Sequence, residues 1–306
     1  MKGSEEAGDD DEDPFVSVIV PVFDDADRLR TCIEALEGQS YPRSRYEVIV
    51  VDNGSKPPIT VGWLLSPQVR LLREDRPGSY AARNLGIANA RGELLAFTDS
   101  DCIPARDWLE TGVRQFITSA PCWVVAGRVD LFAADPSHPR LSERYDARVW
   151  MDQERYVSRG FGVTANLMVL AEVFAHVGVF DPELRSGGDW EWGRRASRCG
   201  VIPRYCGDVV VRHPAIPTLF GVLRKAARVV GGAIRIQQRN RYGVARLVRE
   251  LLADALAIPR YWRRVHAGEH FGLGAGAGMA VLIVLVQVAK AVERLRLYLG
   301  GECRRR

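Results

Sequence analysis

The chain has 306 residues, of which 47% are hydrophobic and 26% are charged. These proportions are typical of a folded globular protein and exclude a collagen-like or wholly disordered chain. Residues 212–306 hold 18 Lys and Arg against 5 Asp and Glu, a local net charge of +13. Residues 1–211 carry 24 against 33, or −9, which leaves the whole chain at +4. The basic block predicts an anionic partner, either nucleic acid or the inner surface of a membrane.

The amino terminus and the cysteines bear on cellular location. Residues 1–14 are acidic and without an apolar run, which predicts a disordered tail and no secretory signal. The six cysteines show no CxxC pair and no zinc-ligand spacing (Cys32, Cys102, Cys122, Cys199, Cys206, Cys303). We therefore expect buried, reduced thiols and a cytosolic main domain.

Apolar runs alternate with helical patterns along the first hundred residues. Strands are predicted at 16–22, 46–51, 69–72 and 94–98, with helices from 24 to 38 and from 78 to 91. This order favours a largely parallel sheet covered on both faces. Further along the chain we predict a helix at 108–119, a strand at 123–129, a short helix ending near 177 and a last strand at 202–211. Residues 133–160 are rich in charge and proline and predict an insertion or a mobile loop.

Carboxylates follow three of these strands. Asp24, Asp52 and the pair Asp99 and Asp101 all lie at carboxyl ends, where open α/β sheets bind ligands. Strand alternation points Asp99 and Asp101 the same way, and two such carboxylates need a cation, a shared proton or water. Taken alone, the pair fits a solvated turn equally well. Three acidic strand ends at one sheet edge favour a ligand site.

Six motifs occur in a characteristic order: residues 21–25, 51–55, 82–86, 99–101, 164–166 and 188–191. With them the chain resembles the family 2 glycosyltransferases, which have the nucleotide-diphospho-sugar transferase fold called GT-A. The resemblance covers about residues 16–214. It implies a three-layer α/β domain over residues 15–214 with a mostly parallel central sheet.

The resemblance implies a donor site for a nucleotide-sugar. Pro21, Asp24, Asp52 and Arg83 would line the pocket for the base and ribose, and a carboxylate and a guanidinium suit such partners. Asn84 is expected beside Arg83, although it could equally be a local helix cap.

The diphosphate end of that site would hold Mg²⁺ or Mn²⁺. Asp99 and Asp101 would hold the ion against the diphosphate beside Ser100, and the family pattern favours Asp101 as the direct metal ligand. Hard divalent ions prefer carboxylate oxygens and phosphates. His213 follows the last strand, where related proteins place another metal or diphosphate ligand.

Asp189 matches the position of the catalytic base. An inverting displacement needs a carboxylate that takes the proton of the acceptor hydroxyl, although Asp189 could also cap a helix. We expect Trp190, Glu191 and Asn166 on the acceptor side. Trp190 and Trp192 could form an aromatic platform or pack in the core, and Glu191 could pair with Arg194 or Arg195. The sequence departs from the family at Gly188, where glutamate is frequent.

Residues 215–306 predict a basic helical region. Its segment 271–289 has 19 residues without a charge, about 28 Å as a helix and close to the thickness of a bilayer core. Basic residues flank the segment on both sides, which opposes a single span under the positive-inside tendency. A spanning helix, a helix in the membrane interface, a re-entrant hairpin and a dimerisation helix all stay open.

The expected function is transfer of a sugar from a nucleotide-diphospho-sugar to a hydroxyl of a glycan or lipid-linked saccharide. The resemblance implies an inverting, divalent-metal-dependent hexosyltransferase of envelope or exopolysaccharide synthesis. It would act at the cytoplasmic side of the cell membrane, without a nucleic-acid partner and with a homodimer through the C-terminal helices as an option. A nucleotidyltransferase of related fold is one alternative, but residues 23–27 lack its glycine-rich basic loop. A catalytically degenerate membrane scaffold is the other, and the intact Asp99, Asp101 and Asp189 oppose it.

Overall fold

The computed structural model describes residues 13–60, 67–117, 122–237, 243–267 and 271–301. The expected acidic tail therefore lies almost wholly outside the described residues. The strands are β1 Val16–Val22, β2 Tyr46–Asp52, β3 Val69–Arg73, β4 Leu94–Thr98, β5 Ile103–Pro104, β6 Val124–Phe132, β7 Asn166–Leu170 and β8 Arg204–Pro214. The helices are α1 Ala26–Glu37, α2 Ser79–Asn89, α3 Trp108–Ile117, α4 Leu141–Val149, α5 Gln153–Val157, α6 Ala171–Val177, α7 Gly188–Arg198, α8 Leu219–Gln237, α9 Val244–Leu256, α10 Ile258–His266 and α11 Leu273–Tyr298.

The described strands form one eight-stranded sheet in the order β3-β2-β1-β4-β7-β6-β8-β5. The first four are mutually parallel, and β6 pairs parallel with β8. Strand β7 runs antiparallel to both β4 and β6, because it follows the turn at 163–165 instead of a crossover helix. The mostly parallel α/β sheet expected from the sequence is confirmed.

Helices cover both faces of the sheet. Strands β1, β2 and β4 are buried at every position, which explains their continuous apolar runs. Alternate side chains of β1 divide between two cores: Val18 packs with α1 and α3, whereas Ile19 packs with a core that includes Phe97 and Trp192. This three-layer arrangement fixes the carboxyl ends of β1, β2 and β4 side by side.

A buried carboxylate ties the amino-terminal edge of the same strands together. Glu47 is fully buried, and its oxygens accept hydrogen bonds from Ser17 Oγ at 2.8 Å, Arg70 Nη1 at 2.9 Å and the Arg91 backbone N–H at 2.9 Å. Burial acts to raise the pKa of Glu47, but these hydrogen bonds outweigh it and the net effect lowers that pKa. The ionised carboxylate therefore joins β1, β2, β3 and the end of α2.

The segment 133–160 differs from the expected insertion or mobile loop. It contains α4 and α5, and Tyr145 of α4 is completely buried. Leu141, Tyr145 and Val149 recur every four residues and pack on the C-terminal helices. The charged residues between them obscure this period in the sequence.

The C-terminal region is helical, as expected, but its long apolar helix lies along the rest of the protein. Met279 and Ile283 of α11 pack in one cluster with Tyr145, and Leu297 packs with Val230 and Ile234 of α8. Among the described residues, Leu273–Tyr298 is the one helix long and apolar enough to cross a membrane, and 33% of its most apolar window is buried.

Candidate active site

A cavity of about 900 Å³ opens at the carboxyl ends of β1 and β4. Its walls come from the loops after these strands, the start of α2, the turn before β7, the start of α7 and one side of α8. Eight of the residues expected in a site lie together on its surface: Pro21, Arg83, Asp99, Ser100, Asp101, Asp189, Trp190 and His213. Residues far apart in the sequence thus meet in one pocket.

The two carboxylates of the acidic pair after β4 have different partners. The carboxylate of Asp99 bonds to the guanidinium of Arg83, whose side chain is almost fully buried. Asp101 lies 3.6 Å from Nε2 of His213 and 3.5 Å from Nη1 of Arg28. The backbone turns directly after β4, with Cys102 N donating to Asp99 O at 3.0 Å. Because each carboxylate has a specific partner, the pair is more than a solvated turn.

The same residues fit a divalent ion. Potential ligand atoms of Asp99, Asp101, Cys102 and His213 all lie within 4.8 Å of one another. Nδ1 of His213 is 2.8 Å from the carbonyl oxygen of Pro214, so Nδ1 carries a hydrogen, and Nε2 is the ring nitrogen that faces Asp101. Burial raises the pKa of the Cys102 thiol well above its usual range, which keeps it protonated and a poor ligand. The two carboxylates and the imidazole form a donor set suited to Mg²⁺ or Mn²⁺.

Asp189 lies in the first turn of α7 and faces the cavity. Its carboxylate accepts a hydrogen bond from Thr164 Oγ1 at 3.1 Å, and its backbone N–H donates to the Tyr80 hydroxyl at 3.4 Å. Burial, partly opposed by Arg83 and reinforced by Asp99, raises the pKa of Asp189 to about 6. The N-cap position belongs to Gly187, so Asp189 does not cap the helix. A carboxyl group with this pKa suits general base catalysis near neutral pH.

The close approach of α7 to α2 explains the glycine at position 188. A Cβ atom on Gly188 would lie 2.6 Å from Cε2 of Tyr80, whose ring is buried next to Phe180. A glutamate, frequent here in the family, would need the space that this ring occupies. Tyr80 was not expected in the site, because its sequence signal is that of any core aromatic residue on α2.

Two of the expected donor residues hold loops and do not line the cavity. Asp52 is buried, and its carboxylate accepts hydrogen bonds from Ser55 N at 2.9 Å and Arg73 Nη1 at 2.8 Å. The carboxylate of Asp24 accepts from Lys56 N at 2.8 Å. These bonds fix the loop after β2 against the loop after β1. Asp24 and Asp52 therefore lie behind the residues that line the cavity and hold its loops in place.

Asn53, the residue after β2, lines the cavity instead. Its Oδ1 accepts from Gly78 N at 2.6 Å, while its Nδ2 donates to Arg76 O at 2.7 Å and Glu74 O at 3.1 Å. Three hydrogen bonds from one side chain hold the start of α2, the helix that presents Arg83. The turn signature at 52–55 indicated a loop but not this bridge.

Asn84 does not reach the cavity either. Its side chain donates to the carbonyl of Phe180 at 2.8 Å and accepts from the backbone N–H of the same residue at 3.1 Å. These two bonds hold the loop before α7 against α2. Both polar atoms of the amide serve this link, and the expected donor contact of Asn84 stays a prediction.

Asn166 and Glu191, both expected on the acceptor side, lie outside the cavity lining and bond to other parts of the protein. Asn166 is completely buried, and its amide accepts from Trp108 Nε1 at 2.9 Å and donates to Val209 O at 2.9 Å. It joins β7 to α3 and β8. Glu191 accepts from Nε of Arg195 at 2.8 Å and from its Nη2 at 3.1 Å, one of the two pairings weighed from the sequence. Neither residue is among those that line the cavity.

The two tryptophans of α7 have different environments. Trp192 is buried, stacks on Phe174 with ring centroids 5.1 Å apart, and donates from Nε1 to Gly178 O at 2.8 Å. It is a core residue. Trp190 lines the cavity with the guanidinium of Arg194 4.8 Å from its ring centre. A platform for a sugar ring stays a prediction for Trp190 alone.

A cationic wall completes the cavity. Arg224, Lys225 and Arg228 of α8 line it together with Arg159 and Arg185 from the loops after α5 and before α7. The sequence showed a basic block beyond residue 212, but it could not show that one side of α8 faces the strand ends. This wall is the main feature of the site that sequence reasoning missed.

Comparison with known proteins identifies the family of the chain. The model of the glycosyl transferase family 2 matches residues 17–178. The chain is 39% identical over 241 residues to glycosyltransferase AglE of Haloferax volcanii, covering 76% of this chain and 78% of that protein. It is 28% identical over 241 residues to the pre-mycofactocin glycosyltransferase of Mycobacterium tuberculosis, covering 76% of this chain and 50% of that protein. The chain belongs to the family 2 glycosyltransferases, and it is a glycosyltransferase enzyme.

A solved structure shows the same fold. The mannosyltransferase PcManGT from Pyrobaculum calidifontis, determined in complex with GDP-Man and Mn²⁺, aligns with a TM-score of 0.58 and 21% sequence identity. The alignment covers 96% of this chain and 90% of that one. The GT-A fold expected from the sequence is thereby confirmed.

Proposed function

We propose that this protein transfers a hexose from a nucleotide-diphospho-sugar to an acceptor hydroxyl, with inversion and with the help of a divalent metal ion. The observation that carries this proposal is the position of Asp189, a carboxyl group of raised pKa in the same cavity as the Arg83–Asp99 pair. One end of such a site would receive the leaving diphosphate, and Asp189 would receive the proton.

The donor end is built from charged groups held in place before any ligand arrives. Asp99, Asp101 and His213 would hold Mg²⁺ or Mn²⁺, which when bound neutralises charge on the leaving nucleoside diphosphate. Arg83 is buried and already oriented by Asp99, so its guanidinium is available beside a phosphate without reordering. Asn53 fixes the helix that carries Arg83.

Proton transfer belongs to Asp189. The Thr164 hydroxyl donates to a carboxylate oxygen of Asp189 at 3.1 Å and orients the group, which would take the proton of the acceptor hydroxyl. A single carboxylate base acting opposite the leaving group supports direct displacement and inversion. Neither rival function is supported by a feature of this cavity. The loop at Phe23 lacks the glycine-rich basic sequence of a nucleotidyltransferase. The acidic residues that a catalytically degenerate scaffold would have lost are intact.

Attachment to the cytoplasmic surface of a membrane is the second part of the proposal. Outward-facing apolar residues form a stripe on α11, and α9 carries a similar stripe. The exposed members of the two stripes are Val281, Val284, Leu285, Val288, Val292, Leu295, Val244, Val248, Leu252 and Leu256. We call these two rows together the apolar stripe.

The opposite side of α11 packs on α4 and α8, and the proposal therefore places α11 in the plane of the membrane interface and not across the bilayer. Nearby arginines on α10, including Arg260 and Arg263, would favour anionic lipids.

A thermal-shift panel tests the transferase proposal. UDP-, GDP- and dTDP-sugars would each be added with and without Mn²⁺, with GDP-mannose included because PcManGT binds it. We expect a rise in the unfolding temperature with one nucleotide class only, and only when Mn²⁺ is present, because a ligand of the native state stabilises it. An equal rise in EDTA would contradict the metal dependence. No rise with any nucleotide-sugar would contradict the donor class.

A further inference from the structure

A second cavity, of about 630 Å³, adjoins the catalytic cavity. Trp150 and Met151 line both cavities, so these two residues form a shared wall. The other walls of the second cavity come from β6, α4, the start of α5, β8 and the end of α10. Its volume is within the range of about 300–1,000 Å³ that is usual for small-molecule sites. The residues proposed for the metal ion, the leaving group and the base all line the first cavity, which leaves the second without a role in that proposal.

Charges of both signs line the second cavity in equal number. Three arginines and three carboxylates belong to its lining: Arg128, Arg148, Arg264, Asp130, Asp152 and Glu154. Nη2 of Arg264 lies 2.7 Å from Oδ2 of Asp152, and Nε of Arg128 lies 3.4 Å from Oδ1 of Asp130. Such a balance favours neither an anion nor a cation, but it offers hydrogen-bond donors and acceptors side by side. The lining therefore suits a neutral ligand that is rich in hydroxyl groups.

Two polar groups of this cavity are open to a ligand. Among the described residues, neither the hydroxyl of Tyr205 nor the carboxylate of Glu154 has a hydrogen-bond partner, and both line the cavity. Burial raises the pKa of Tyr205, and the nearby charge of Glu154 reinforces the rise, so the phenol stays protonated and can donate. A sugar hydroxyl both accepts and donates, and it would therefore match a phenol beside a carboxylate.

The shared wall has two unfavourable features. Met151 has a φ of 61°, in the left-handed region that side chains other than glycine rarely adopt. Nε1 of Trp150 is buried and has no hydrogen-bond partner among the described residues, which costs free energy unless an acceptor reaches it. Both features would be relieved if the wall moved and a ligand oxygen accepted from the indole. The wall is thus suited to open between the two cavities.

One side chain connects the second cavity to the catalytic base. Gln153 lines this cavity and is buried, and its Nε2 donates to Asn166 O at 2.8 Å while its Oε1 accepts from Val163 N at 2.8 Å. These bonds hold the turn that carries Thr164, whose hydroxyl donates to Asp189 at 3.1 Å. The two cavities are therefore built around one turn. A ligand that filled both would contact Asp189 at one end and the second cavity at the other.

Aromatic side chains line the first cavity along the segment that includes the shared wall. Trp150, Tyr156 and Phe161 belong to this lining, and the rings of Tyr156 and Phe161 stack with centroids 4.9 Å apart. Aromatic rings supply rigid apolar contact area. A sugar ring has apolar C–H faces and a polar edge of hydroxyl groups, so it suits an aromatic surface that leads to a polar one.

We propose that the second cavity binds sugar units of an oligosaccharide acceptor, whose terminal sugar passes Trp150 to reach Asp189. The inference rests on the proposed function, because it assigns the acceptor of that same reaction. A hydroxyl of the terminal sugar gives its proton to Asp189, and its oxygen bonds to the anomeric carbon of the donor. The bond from that carbon to the phosphate oxygen breaks, and the nucleoside diphosphate leaves with the electron pair. The sugar units in the second cavity stay unchanged.

The test is calorimetric titration of the full chain with Mn²⁺ and a saturating nucleoside diphosphate, so that the donor site is filled. The probes are the mono-, di- and trisaccharides of glucose, galactose, mannose and N-acetylglucosamine. In at least one series we expect the trisaccharide to bind at least about ten-fold more tightly than the monosaccharide, because only the longer chain contacts the second cavity. The Glu154→Ala and Tyr205→Phe double variant should reduce this advantage to about two-fold or less and leave the monosaccharide affinity unchanged. Glu172→Ala and Tyr298→Phe, both exposed and outside the two linings, form the matched control.

Three outcomes would overturn the inference. The first is a panel in which no trisaccharide binds more tightly than its monosaccharide, or in which no saccharide binds. The second is a full chain-length advantage in the double variant, provided that its nucleotide-induced rise in unfolding temperature shows it to be folded. The third is competition between the trisaccharide and the nucleoside diphosphate, which would assign the saccharide to the donor site. Each result is separate from the fate of the proposed function, which depends on Mn²⁺-dependent binding of the nucleotide in the wild-type protein.

Discussion

The ring of Tyr80 occupies the place where a side chain on Gly188 would begin, 2.6 Å from the position of its Cβ. The start of α7, and with it Asp189, is thereby seated directly on α2. We expect Gly188→Ala to lower the free energy of unfolding by ~1–3 kcal/mol, because the buried ring cannot move aside freely. Urea denaturation measures the change. Gly274→Ala, with open space around its Cβ, serves as the control, and an equal effect of both substitutions would contradict the contact.

The partner substitution sharpens this test. Tyr80→Leu creates room beside position 188, so Gly188→Ala should cost less in that background than in the wild type. A double-mutant cycle gives the coupling free energy of the pair. Strictly additive effects would show that the two positions do not compete for the same space.

Asp189→Asn should separate chemistry from binding. The amide oxygen can still accept from Thr164, so the fold and the donor pocket stay intact, but the group can no longer take a proton. We expect turnover to fall by ~10²–10⁴-fold while donor affinity stays within about two-fold. Glu172→Gln, an exposed change on α6, is the matched control. Equal losses of donor affinity and turnover would make Asp189 a structural residue.

The pKa of Asp189 also predicts a pH profile. Because the pKa is raised to about 6, the carboxyl group is protonated below that pH and cannot act as a base. We expect kcat/KM to fall about ten-fold per pH unit below 6 and to reach a plateau above it. The residual activity of Asp189→Asn should lack this acid limb. An unchanged limb in the variant would assign it to another group.

Asp101 should carry the metal dependence. We expect Asp101→Asn to abolish the Mn²⁺-dependent rise in unfolding temperature with nucleoside diphosphate, and His213→Gln to reduce it, because each removes a ligand from the cluster. Asp25→Asn changes a carboxylate that lines the same cavity outside the cluster and is the control. A full Mn²⁺ effect in Asp101→Asn would contradict the metal site.

The apolar stripe should govern membrane attachment. We expect the wild-type protein to sediment with anionic vesicles and the Val284→Glu and Val288→Glu double variant to stay in solution. Ile202→Glu changes an exposed apolar residue away from the stripe and should have no effect. Substitution is sharper than deletion of residues 267–306, because deletion also removes Met279 and Ile283 from a buried cluster. Unchanged sedimentation of the double variant would refute the attachment surface, whereas a shift from dimer to monomer in solution would assign it to self-association.

Much of the fold follows from the sequence because β1, β2 and β4 are buried on both faces and therefore show as continuous apolar runs. Asp99, Asp101 and Asp189 could be predicted from local motifs. The buried position of Asn166 could not be predicted, because its partners Trp108 and Val209 are distant in the sequence and meet it only in the folded protein. Arg185 and Arg228 carry no local signal either, since their common cavity arises from the packing of α8 beside α7. Local chemistry is visible in the sequence, whereas contacts between distant elements are not.

The buried Glu47 and the site residue Asp189 respond to acid in opposite ways. The folded pKa of Glu47 is lowered, so its contribution to stability is present above its ordinary value of 4.5 and is lost as the pH falls through the folded pKa. The pKa of Asp189 is raised, so its protonation as the pH falls relieves a buried charge and favours the folded state. Between about pH 6 and 4.5 the protein should therefore stay folded while its activity declines steadily. Mild acid would act as a reversible off switch, from which neutral buffer restores activity without refolding.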